Sequence, residues 1–416
     1  MKTFEFEYSF EAENWKEKIL YWAERKFPFF ARTQGNKYPY LHQPFGDFLF
    51  LGNERLEEKD IWKEGIFKVG IFGYDFKNRI EKLESRNLTF FKLPDLCFFH
   101  AEWQLNFQEK GFSSARPFPK EWLKEIESTH IPSNPNTSCE VSAQISKAEY
   151  IGHIETIQQE IREGNTYEAN FCQSFSGSFE NWDPIAAFLE LNQLSPMPFA
   201  SLFKAESQWL VSASPERFLK KTEGKLIAQP IKGTIRRGNS PEADQNQKEK
   251  LLASEKERAE NLMITDLMRN DLARVSKTGS IKVEELFGIY PLPRVFQMIS
   301  TVSGKIQEDI SLKEIIEATF PMGSMTGAPK ISTMKILDRE ESFQRGWFSG
   351  AFGWINEQGD FDFSVVIRSI IADLEAKKLY FGVGSAITID ASPEQEYEEC
   401  ALKAQAIIEL LLGKEN

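Results

Sequence analysis

A single lysine, Lys232, stands where an apolar segment meets a glycine turn. Residues 226–231 read as a strand, and the lysine follows in the run PIKGTIRRG, residues 230–238. An apolar strand that carries a lysine inward makes the charged form costly, so we expect a lowered pKa and a neutral, nucleophilic amine. The same pattern also fits a surface lysine at a strand end. Spacing alone leaves both interpretations open.

Two pairs of glutamates have a spacing that suits a metal ion. Glu257 and Glu260 are three residues apart in a predicted long helix over residues 242–275, and Glu396 and Glu399 are three apart in the last helix. Residues at this spacing project from one helix face. Two facing pairs would form an all-oxygen site suited to Mg²⁺. With 62 acidic residues in the chain, such pairs also arise by chance and face solvent.

Glu216 is a candidate general acid. It follows an apolar strand in the run SPERF, residues 214–218. A carboxyl group that is partly removed from water has a raised pKa and can donate a proton near neutral pH. The alternative is an acid at a strand end that is neutralised by a salt bridge.

Three segments could bind carboxylate groups of a ligand. The run FPMGSMTGAPK, residues 320–330, is a glycine-rich loop before a helix, where main-chain N–H groups can bind an anion. Its order of residues is not that of a P-loop. Arg368 ends an apolar strand and could bind a carboxylate through two hydrogen bonds. Gly384 lies in the strand segment FGVGS, residues 381–385, where a ligand can approach the backbone.

Composition limits the class of partner. The chain has 416 residues, 41% hydrophobic and 27% charged, which is ordinary for a globular protein. A net charge of -12 argues against nucleic acid or an anionic membrane as partner. The four cysteines are scattered and form no Cys-x-x-Cys pair, so we expect reduced thiols and a cytoplasmic protein. The N-terminus lacks a signal-peptide pattern, and no run of about 18 apolar residues predicts a membrane span.

The pattern of elements predicts an α+β protein. Residues 1–128 form an aromatic, β-rich region, residues 129–140 have the composition of a linker, and residues 141–416 contain the candidate chemistry. Ser146 and Glu149 form a capping box that starts a helix. Strands, hairpins and helices then alternate without a regular βαβ succession. We expect the two regions to pack as one unit.

Five ordered motifs between residues 145 and 410 resemble those of the chorismate-utilising enzymes. They are the PIKGT and SPERF runs, the stretch ERAENLMITDLMRNDL at residues 257–272, the glycine-rich loop, and EYEE at residues 396–399. Lys232 makes the chain most similar to the aminodeoxychorismate synthase group, because anthranilate synthase component I usually has alanine there. The resemblance implies two packed, mainly antiparallel β-sheets flanked by helices, with the active site between them.

The resemblance also implies a mechanism. Lys232 would add to C2 of chorismate while Glu216 protonates the leaving C4 hydroxyl, and ammonia would then form 4-amino-4-deoxychorismate. Because the chain has no glutaminase motif, ammonia would come from a glutamine amidotransferase subunit or from solution. Mg²⁺ would bind to Glu260 and Glu399, with help from Glu257 and Glu396. The substrate contacts that it assigns are Thr234, Gly323, Ser324, Thr326, Gly327, Arg368, Gly384 and Lys403.

Some positions depart from the family pattern. Gln297 replaces a usual histidine, and Phe348 replaces a tyrosine often found near the substrate. Glu168 stands where relatives that add water carry a lysine base, which argues against water as the nucleophile. Two alternatives remain at this point: an anthranilate synthase component I, against which Lys232 argues, and a chorismate-binding subunit without catalytic activity.

Overall fold

The computed structural model describes residues 4–133 and 139–412. In the first of these ranges the elements are β1 (Phe6–Ser9), α1 (Trp15–Lys26), β2 (Phe29–Gln34), β3 (Phe48–Gly52), α2 (Glu58–Ile61), β4 (Lys68–Phe72), a 3₁₀ turn (Tyr74–Phe76), α3 (Lys77–Glu81), β5 (Leu96–His100), β6 (Trp103–Phe107), β7 (Gly111–Ser114) and α4 (Lys120–Glu127). The predicted linker follows, and its residues 134–138 lie outside the described residues.

The second range carries the remaining elements. They are β8 (Glu140–Ala143), α5 (Lys147–Arg162), β9 (Glu168–Ser178), α6 (Pro184–Leu194), β10 (Phe199–Ala205), β11 (Gln208–Ser214), β12 (Arg217–Thr222), β13 (Lys225–Gln229), β14 (Ile231–Arg236), α7 (Pro241–Ala253), α8 (Glu255–Ala273), β15 (Lys282–Pro291), β16 (Val295–Lys305), α9 (Leu312–Thr319), a 3₁₀ turn (Gly323–Met325), β17 (Gly327–Ala328), α10 (Lys330–Glu340), β18 (Ala351–Ile355), β19 (Phe361–Val365), β20 (Ser369–Asp373), β21 (Lys378–Ile387) and α11 (Pro393–Leu412).

Within the described residues the strands form two sheets. The larger has 12 strands in the order β1-β7-β6-β3-β2-β10-β11-β20-β21-β9-β17, with β8 paired to β9. The smaller has nine in the order β14-β16-β13-β12-β19-β18-β4-β5, with β15 paired to β16. Strands from both sides of the linker occur in both sheets, since β2 pairs with β10 and β4 pairs with β18, all antiparallel. The predicted α+β class with two mainly antiparallel sheets is confirmed.

Alternating side chains divide the core into two layers. In β10, Ala200 and Leu202 pack in one hydrophobic cluster with α1, α5, α6 and α11, whereas Phe199 and Phe203 pack in another cluster together with the smaller sheet. This is the period-two alternation of a strand that is covered on both faces. The larger sheet therefore lies between a helical layer and the smaller sheet. No helix in the described residues is long and apolar enough to cross a membrane.

Local capping signals explain where helices begin, both where the prediction was right and where it was wrong. The capping box of Ser146 and Glu149 begins α5 as predicted. The predicted single helix over residues 242–275 is wrong, because α7 ends at Ala253 and the side chain of Ser254 caps a new helix, α8. A serine oxygen that accepts from the main-chain N–H of Glu257 favours a helix start over continuation.

Candidate active site

Two strand crossovers between the sheets bring Glu216 and Arg368 to one corner. The chain passes from β11 in the larger sheet to β12 in the smaller one through Glu216, and it returns from β19 to β20 through Arg368. Main-chain hydrogen bonds join the crossovers, since Val365 N donates to Glu216 O at 3.0 Å and Ala213 N donates to Arg368 O at 3.1 Å. The paired corners fix both residues at the gap between the sheets.

The Glu216 carboxyl is 5% exposed, and its environment fits the predicted role as an acid. Burial raises the pKa of Glu216 to about 7, against the opposing effects of the Ser324 hydroxyl and the Lys232 ammonium group. The Ser324 hydroxyl faces this carboxyl but has no hydrogen bond of good geometry within the described residues. The predicted rise in pKa is confirmed, with burial as its main cause.

The Arg368 guanidinium is a cation without a carboxylate partner in the described parts of the chain. Its backbone has a φ of 51° in the bend before β20, and its Nη1 lies 3.9 Å from the sulfur of Met197. Burial lowers the pKa of Arg368, and nearby Tyr40 and Glu216 oppose that effect. A partly buried guanidinium without an ion-pair partner is unfavourable, so this position is suited to a ligand carboxylate.

Lys232 lies inside a strand and not in a turn after one. The predicted strand 226–231 is interrupted at Pro230, and β14 then begins at Ile231. The register of β14 against β16 shifts between Ile231 and Thr234, which places one extra residue on β14. Gly233 within this bulge has a φ of +97°, a conformation that favours glycine. The bulge turns the side chain of Lys232 away from the regular alternation of the strand.

The Lys232 ammonium group forms an ion pair with Glu168 across the gap between the sheets. Its Nζ is 2.9 Å from Oε1 of Glu168, and the two side chains are 11% and 1% exposed. Burial by itself would lower the pKa of Lys232, but the charges of Glu168, Glu260 and Glu399 outweigh burial and raise it. The predicted lowering of this pKa is therefore wrong. The sequence indicated the burial and the acidic residues, but not the ion pair that a strand of the other sheet makes with the lysine.

Asn261, on α8, holds the bulge in place. Its Nδ2 donates to the main-chain oxygens of Lys232 and Met298, both at 3.1 Å, and its Oδ1 accepts from the Ser300 hydroxyl. The side chain is 1% exposed. Sequence reasoning missed this residue. The available signal was an asparagine inside a helix, where it has low intrinsic propensity and so indicates another role.

The two predicted acidic pairs lie on facing helices. Glu257 and Glu260 belong to α8, and Glu396 and Glu399 belong to α11. Lys256 connects the helices, with its Nζ 3.8 Å from Glu260 and 3.7 Å from Glu396. Glu396 is 4% exposed, whereas the side chain of Glu399 is 49% exposed. The structure therefore brings together the four carboxylates that the sequence singled out.

The carboxylates perturb one another. Burial first, and then the charge of Glu260, raise the pKa of Glu257 to about 7. Burial also raises the pKa of Glu260 and of Glu396. Partial burial would raise the pKa of Glu399, but its ion pair with Lys403 at 2.6 Å lowers it. In the described residues no group of three His, Cys, Asp or Glu side chains is arranged to hold a metal ion.

The glycine-rich segment, residues 320–330, comes close to Glu216 through Ser324. Its residues differ in the partners of their polar groups. Gly323 and Ser324 are buried in the 3₁₀ turn. The Thr326 hydroxyl donates within its own turn, to the main-chain oxygens of Met322 and Gly323, both at 3.2 Å. At Gly327 a Cβ atom would lie 2.0 Å from the main-chain oxygen of Glu168, so only glycine allows β17 to approach β9.

The remaining predicted contacts are Lys403, Gly384 and Thr234, and two positions that depart from the family pattern, Gln297 and Phe348, pair with or pack against the same strands. Lys403 donates to the main-chain oxygen of Gly384 at 2.8 Å, which brings α11 against β21 near the acidic pairs. Thr234 is exposed on β14 and paired in register with Gln297. The Gln297 side chain is 2% exposed, and its Oε1 has no hydrogen-bond partner in the described residues. Phe348 packs its ring over Gly382. These substrate contacts stay predictions.

Comparison with known proteins decides the family. The model of the family described as chorismate binding enzyme matches residues 14–409. The chain belongs to this family. Aminodeoxychorismate synthase component 1 of Salmonella typhimurium is 33% identical over 384 residues, which cover 91% of this chain and 80% of that protein. The predicted membership of the chorismate-binding enzymes, in the aminodeoxychorismate synthase group, is confirmed.

Two solved structures have the same fold as this chain. Anthranilate synthase component I from Streptococcus pneumoniae superimposes with a TM-score of 0.74 at 23% identity, covering 91% of each chain. The menaquinone-specific isochorismate synthase MenF from Escherichia coli gives a TM-score of 0.75 at 16% identity, covering 98% of this chain and 93% of that one. The two-sheet arrangement is thus the fold of this chorismate-binding enzyme.

Proposed function

We propose that this chorismate-binding enzyme converts chorismate and ammonia to 4-amino-4-deoxychorismate. The observation that carries this proposal is the position of Lys232. Its side chain is 11% exposed in the β14 bulge, between the sheets, and Glu216 is close enough for the lysine charge to affect the pKa of that acid. In such an arrangement the amine can attack a ring carbon, and the carboxylic acid can protonate the group that leaves.

The carboxylates of the substrate would bind to donor groups near Glu216. Arg368 has no acidic partner in the described residues and is the best candidate for two parallel hydrogen bonds to a carboxylate. The main-chain N–H groups near Gly323 and Ser324 offer further donors beside Glu216. These contacts would orient the ring so that its C4 hydroxyl faces Glu216.

The residues of the two acidic helices fit Mg²⁺ by their donor chemistry. All four are carboxylates, and the raised pKa of Glu257 reflects burial together with repulsion from Glu260 that a cation would relieve. Glu257, Glu260, Glu396 and Glu399 would hold the ion after small changes of side-chain position, with water or substrate oxygens as the other ligands. A bound Mg²⁺ would neutralise and orient the ring carboxylate of chorismate.

The chain's own residues would then act in two steps. Lys232 would form a bond to C2 of the ring while Glu216 gives its proton to the departing C4 hydroxyl, which leaves as water. Ammonia would form a bond to C4 as the bond between Lys232 and C2 breaks, and Glu216 would take up the extra proton. The raised pKa of Glu216 suits both roles, because an acid with a pKa near the working pH exchanges protons readily.

We propose a glutamine amidotransferase subunit as the source of ammonia. The Salmonella typhimurium relative is called component 1, a name that implies a second component. We also propose a cytoplasmic location, in keeping with the buried free thiols of Cys97, Cys172 and Cys400.

A product assay tests the proposal. Purified chain is incubated with chorismate, ammonium and Mg²⁺, and the products are separated by chromatography. We expect 4-amino-4-deoxychorismate. Anthranilate as the main product would instead place the chain with the anthranilate synthases, and binding of chorismate without any product would indicate a subunit that has lost catalysis.

A further inference from the structure

The ion pair of Lys232 raises a chemical problem for the proposed function. An ammonium nitrogen has no lone pair, so Lys232 cannot attack carbon until it loses a proton. Its Nζ lies 2.9 Å from Oε1 of Glu168, the distance of an ion pair between an ammonium group and a carboxylate. Burial favours the neutral amine, but the charge of Glu168, which contacts the lysine, opposes burial and raises its pKa. The proton must therefore pass to a group that contacts the lysine.

Glu168 is built to receive it. The side chain is 1% exposed, and while Oε1 contacts Lys232, Oε2 is buried without a hydrogen-bond partner in the described residues. In the described residues, no other hydrogen-bond donor therefore competes with the lysine for this carboxylate. Transfer of a proton from the lysine would replace two buried charges by two neutral groups, and this reduces the desolvation penalty.

The backbone of Glu168 is fixed by the larger sheet. The Thr166 hydroxyl donates to its main-chain oxygen at 3.1 Å, and β17 pairs with β9 so that Ala328 lies opposite Glu168. Lys232 is fixed on the smaller sheet by the bulge and by Asn261. Donor and acceptor thus sit on two rigid elements at hydrogen-bond distance, which is the geometric requirement for a general base.

Other carboxylates face the lysine, but they are placed less favourably. The acidic groups whose charges interact with Lys232 come from β9, the β11–β12 crossover, α8 and α11, and are Glu168, Glu216, Glu257, Glu260 and Glu399. Of these, Glu168 is the one that the described structure places within hydrogen-bond distance of Nζ. Glu216 has the opposite task in the proposed first step, since it must begin protonated.

We propose that Glu168 is the base that takes the proton of Lys232, an inference that rests on the proposed function. One N–H bond of Lys232 breaks and an O–H bond forms on Oε1 of Glu168. The freed lone pair forms the bond from Nζ to C2, the ring double bonds shift towards C4, and the C4–O bond breaks as Glu216 protonates the oxygen, which leaves as water. When ammonia adds at C4 and the bond to C2 breaks, Glu168 returns the proton to Lys232. Glu168 is thus a catalytic residue that contacts a reacting atom.

The first experiment measures formation of the lysine adduct without ammonia. Wild type and Glu168→Gln are mixed with chorismate and Mg²⁺, quenched at short times and analysed by mass spectrometry of the peptide that contains Lys232. The amide keeps the shape and still accepts a hydrogen bond, but it cannot take a proton, so we expect adduct formation to be about 10²-fold slower or more. An unchanged rate overturns the proposal. Thermal unfolding of both proteins checks that the variant is folded.

A double-mutant cycle tests whether Glu168 acts as the base for Lys232 or has another role. Steady-state amination with ammonium is measured for wild type, Glu168→Gln, Lys232→Ala and the double variant. We expect the glutamine substitution to reduce the wild-type rate strongly and to have no further effect once Lys232 is alanine. An equal loss in both backgrounds would overturn the proposal, because Glu168 would then act on ammonia, on the substrate or on the fold.

A rescue experiment adds a readout that a structural role would not affect. Glu168→Ala is assayed for adduct formation with and without added formate, which can enter the space of the missing side chain as a base. We expect formate to restore part of the rate. Failure of wild type to form any adduct while it still makes product would refute the lysine step, whereas failure to make product would refute the proposed function itself.

Discussion

The side-chain amide of Asn261 donates a hydrogen bond to the main-chain oxygen of Lys232 at 3.1 Å, and this bond connects helix α8, which carries Glu257 and Glu260, to the bulge of β14. The next bond, to the main-chain oxygen of Met298 at 3.1 Å, fixes the partner strand β16 as well. The Asn261 side chain therefore sets the position of Lys232 relative to Glu260, the residue that precedes Asn261 on α8. It acts through Lys232 and is a positioning residue.

We expect Asn261→Ala to reduce both stability and turnover. The buried main-chain oxygen of Met298 and the partly buried one of Lys232 would lose this donor, and an unsatisfied buried group costs about 1–3 kcal/mol. The displaced bulge should slow formation of the Lys232 adduct more than it changes KM for chorismate. Chemical unfolding and single-turnover kinetics measure the two effects. Asn270→Ala, at an exposed asparagine of the same helix, is the matched control and should leave both values near wild type.

Turnover should require Mg²⁺ bound to the acidic helices. Activity should vanish in excess chelator and return with Mg²⁺, and Glu260→Ala or Glu399→Ala should abolish it at ordinary Mg²⁺ concentrations, because each removes a hard oxygen ligand. Glu255→Ala, an exposed acid in the first turn of α8, controls for loss of negative charge alone. Full turnover in excess chelator would contradict the metal role.

The pH profile should report Glu216. Its pKa in the folded protein is about 7, raised mainly by burial. Because the acid must be protonated to assist the leaving hydroxyl, kcat/KM should decrease as pH rises through about 7. The same shift affects stability: the folded state binds this proton more tightly than the unfolded chain, so the free energy of unfolding should decrease as pH rises from about 4.5 to about 7.

Glu216→Gln tests both effects together. The amide cannot donate its proton as an acid, so turnover should decrease by about 10²-fold or more. The contribution of this group to the pH dependence of unfolding should disappear. A variant with the wild-type rate and the wild-type pH profile would show that another group protonates the leaving hydroxyl.

Lys232→Ala should lose the covalent adduct without losing all activity. The acid Glu216, the acidic helices and Arg368 would remain, and ammonia could attack the ring directly. We expect turnover to decrease by about 10²-fold or more, the scale of one catalytic group. Mass spectrometry after mixing with chorismate and Mg²⁺, without ammonia, detects the adduct in wild type. An unchanged rate and product in the variant would make Lys232 a structural lysine.

The source of ammonia can be tested with the purified chain. It should use ammonium salts alone and should gain glutamine-dependent turnover only after an amidotransferase is added, because no glutaminase motif occurs in its sequence. Product formation is followed with either nitrogen source, with and without the added subunit. Glutamine-dependent turnover by the purified chain alone would contradict the prediction that a separate subunit releases the ammonia.

The sequence by itself determined which residues could take part in catalysis. The types and spacing of Lys232, Glu216 and the two glutamate pairs were readable because each motif is local and contiguous. The capping box at Ser146 was readable for the same reason, since its hydrogen bonds join residues three apart. The α+β class followed from the same local patterns, with strands, hairpins and capped helices visible one segment at a time.

The tertiary structure decided what surrounds those residues. The pKa of Lys232 rises instead of falling because Glu168, on a strand of the other sheet, forms an ion pair with it. The bulge at Gly233 and the anchoring by Asn261 depend on register against β16 and on the packing of α8. A pKa depends on every charge nearby in space, and strands that meet across two sheets bring together groups far apart in the chain. Local sequence therefore singled out Lys232 as the candidate nucleophile, whereas the direction of its pKa shift was set by contacts that exist only in the folded protein.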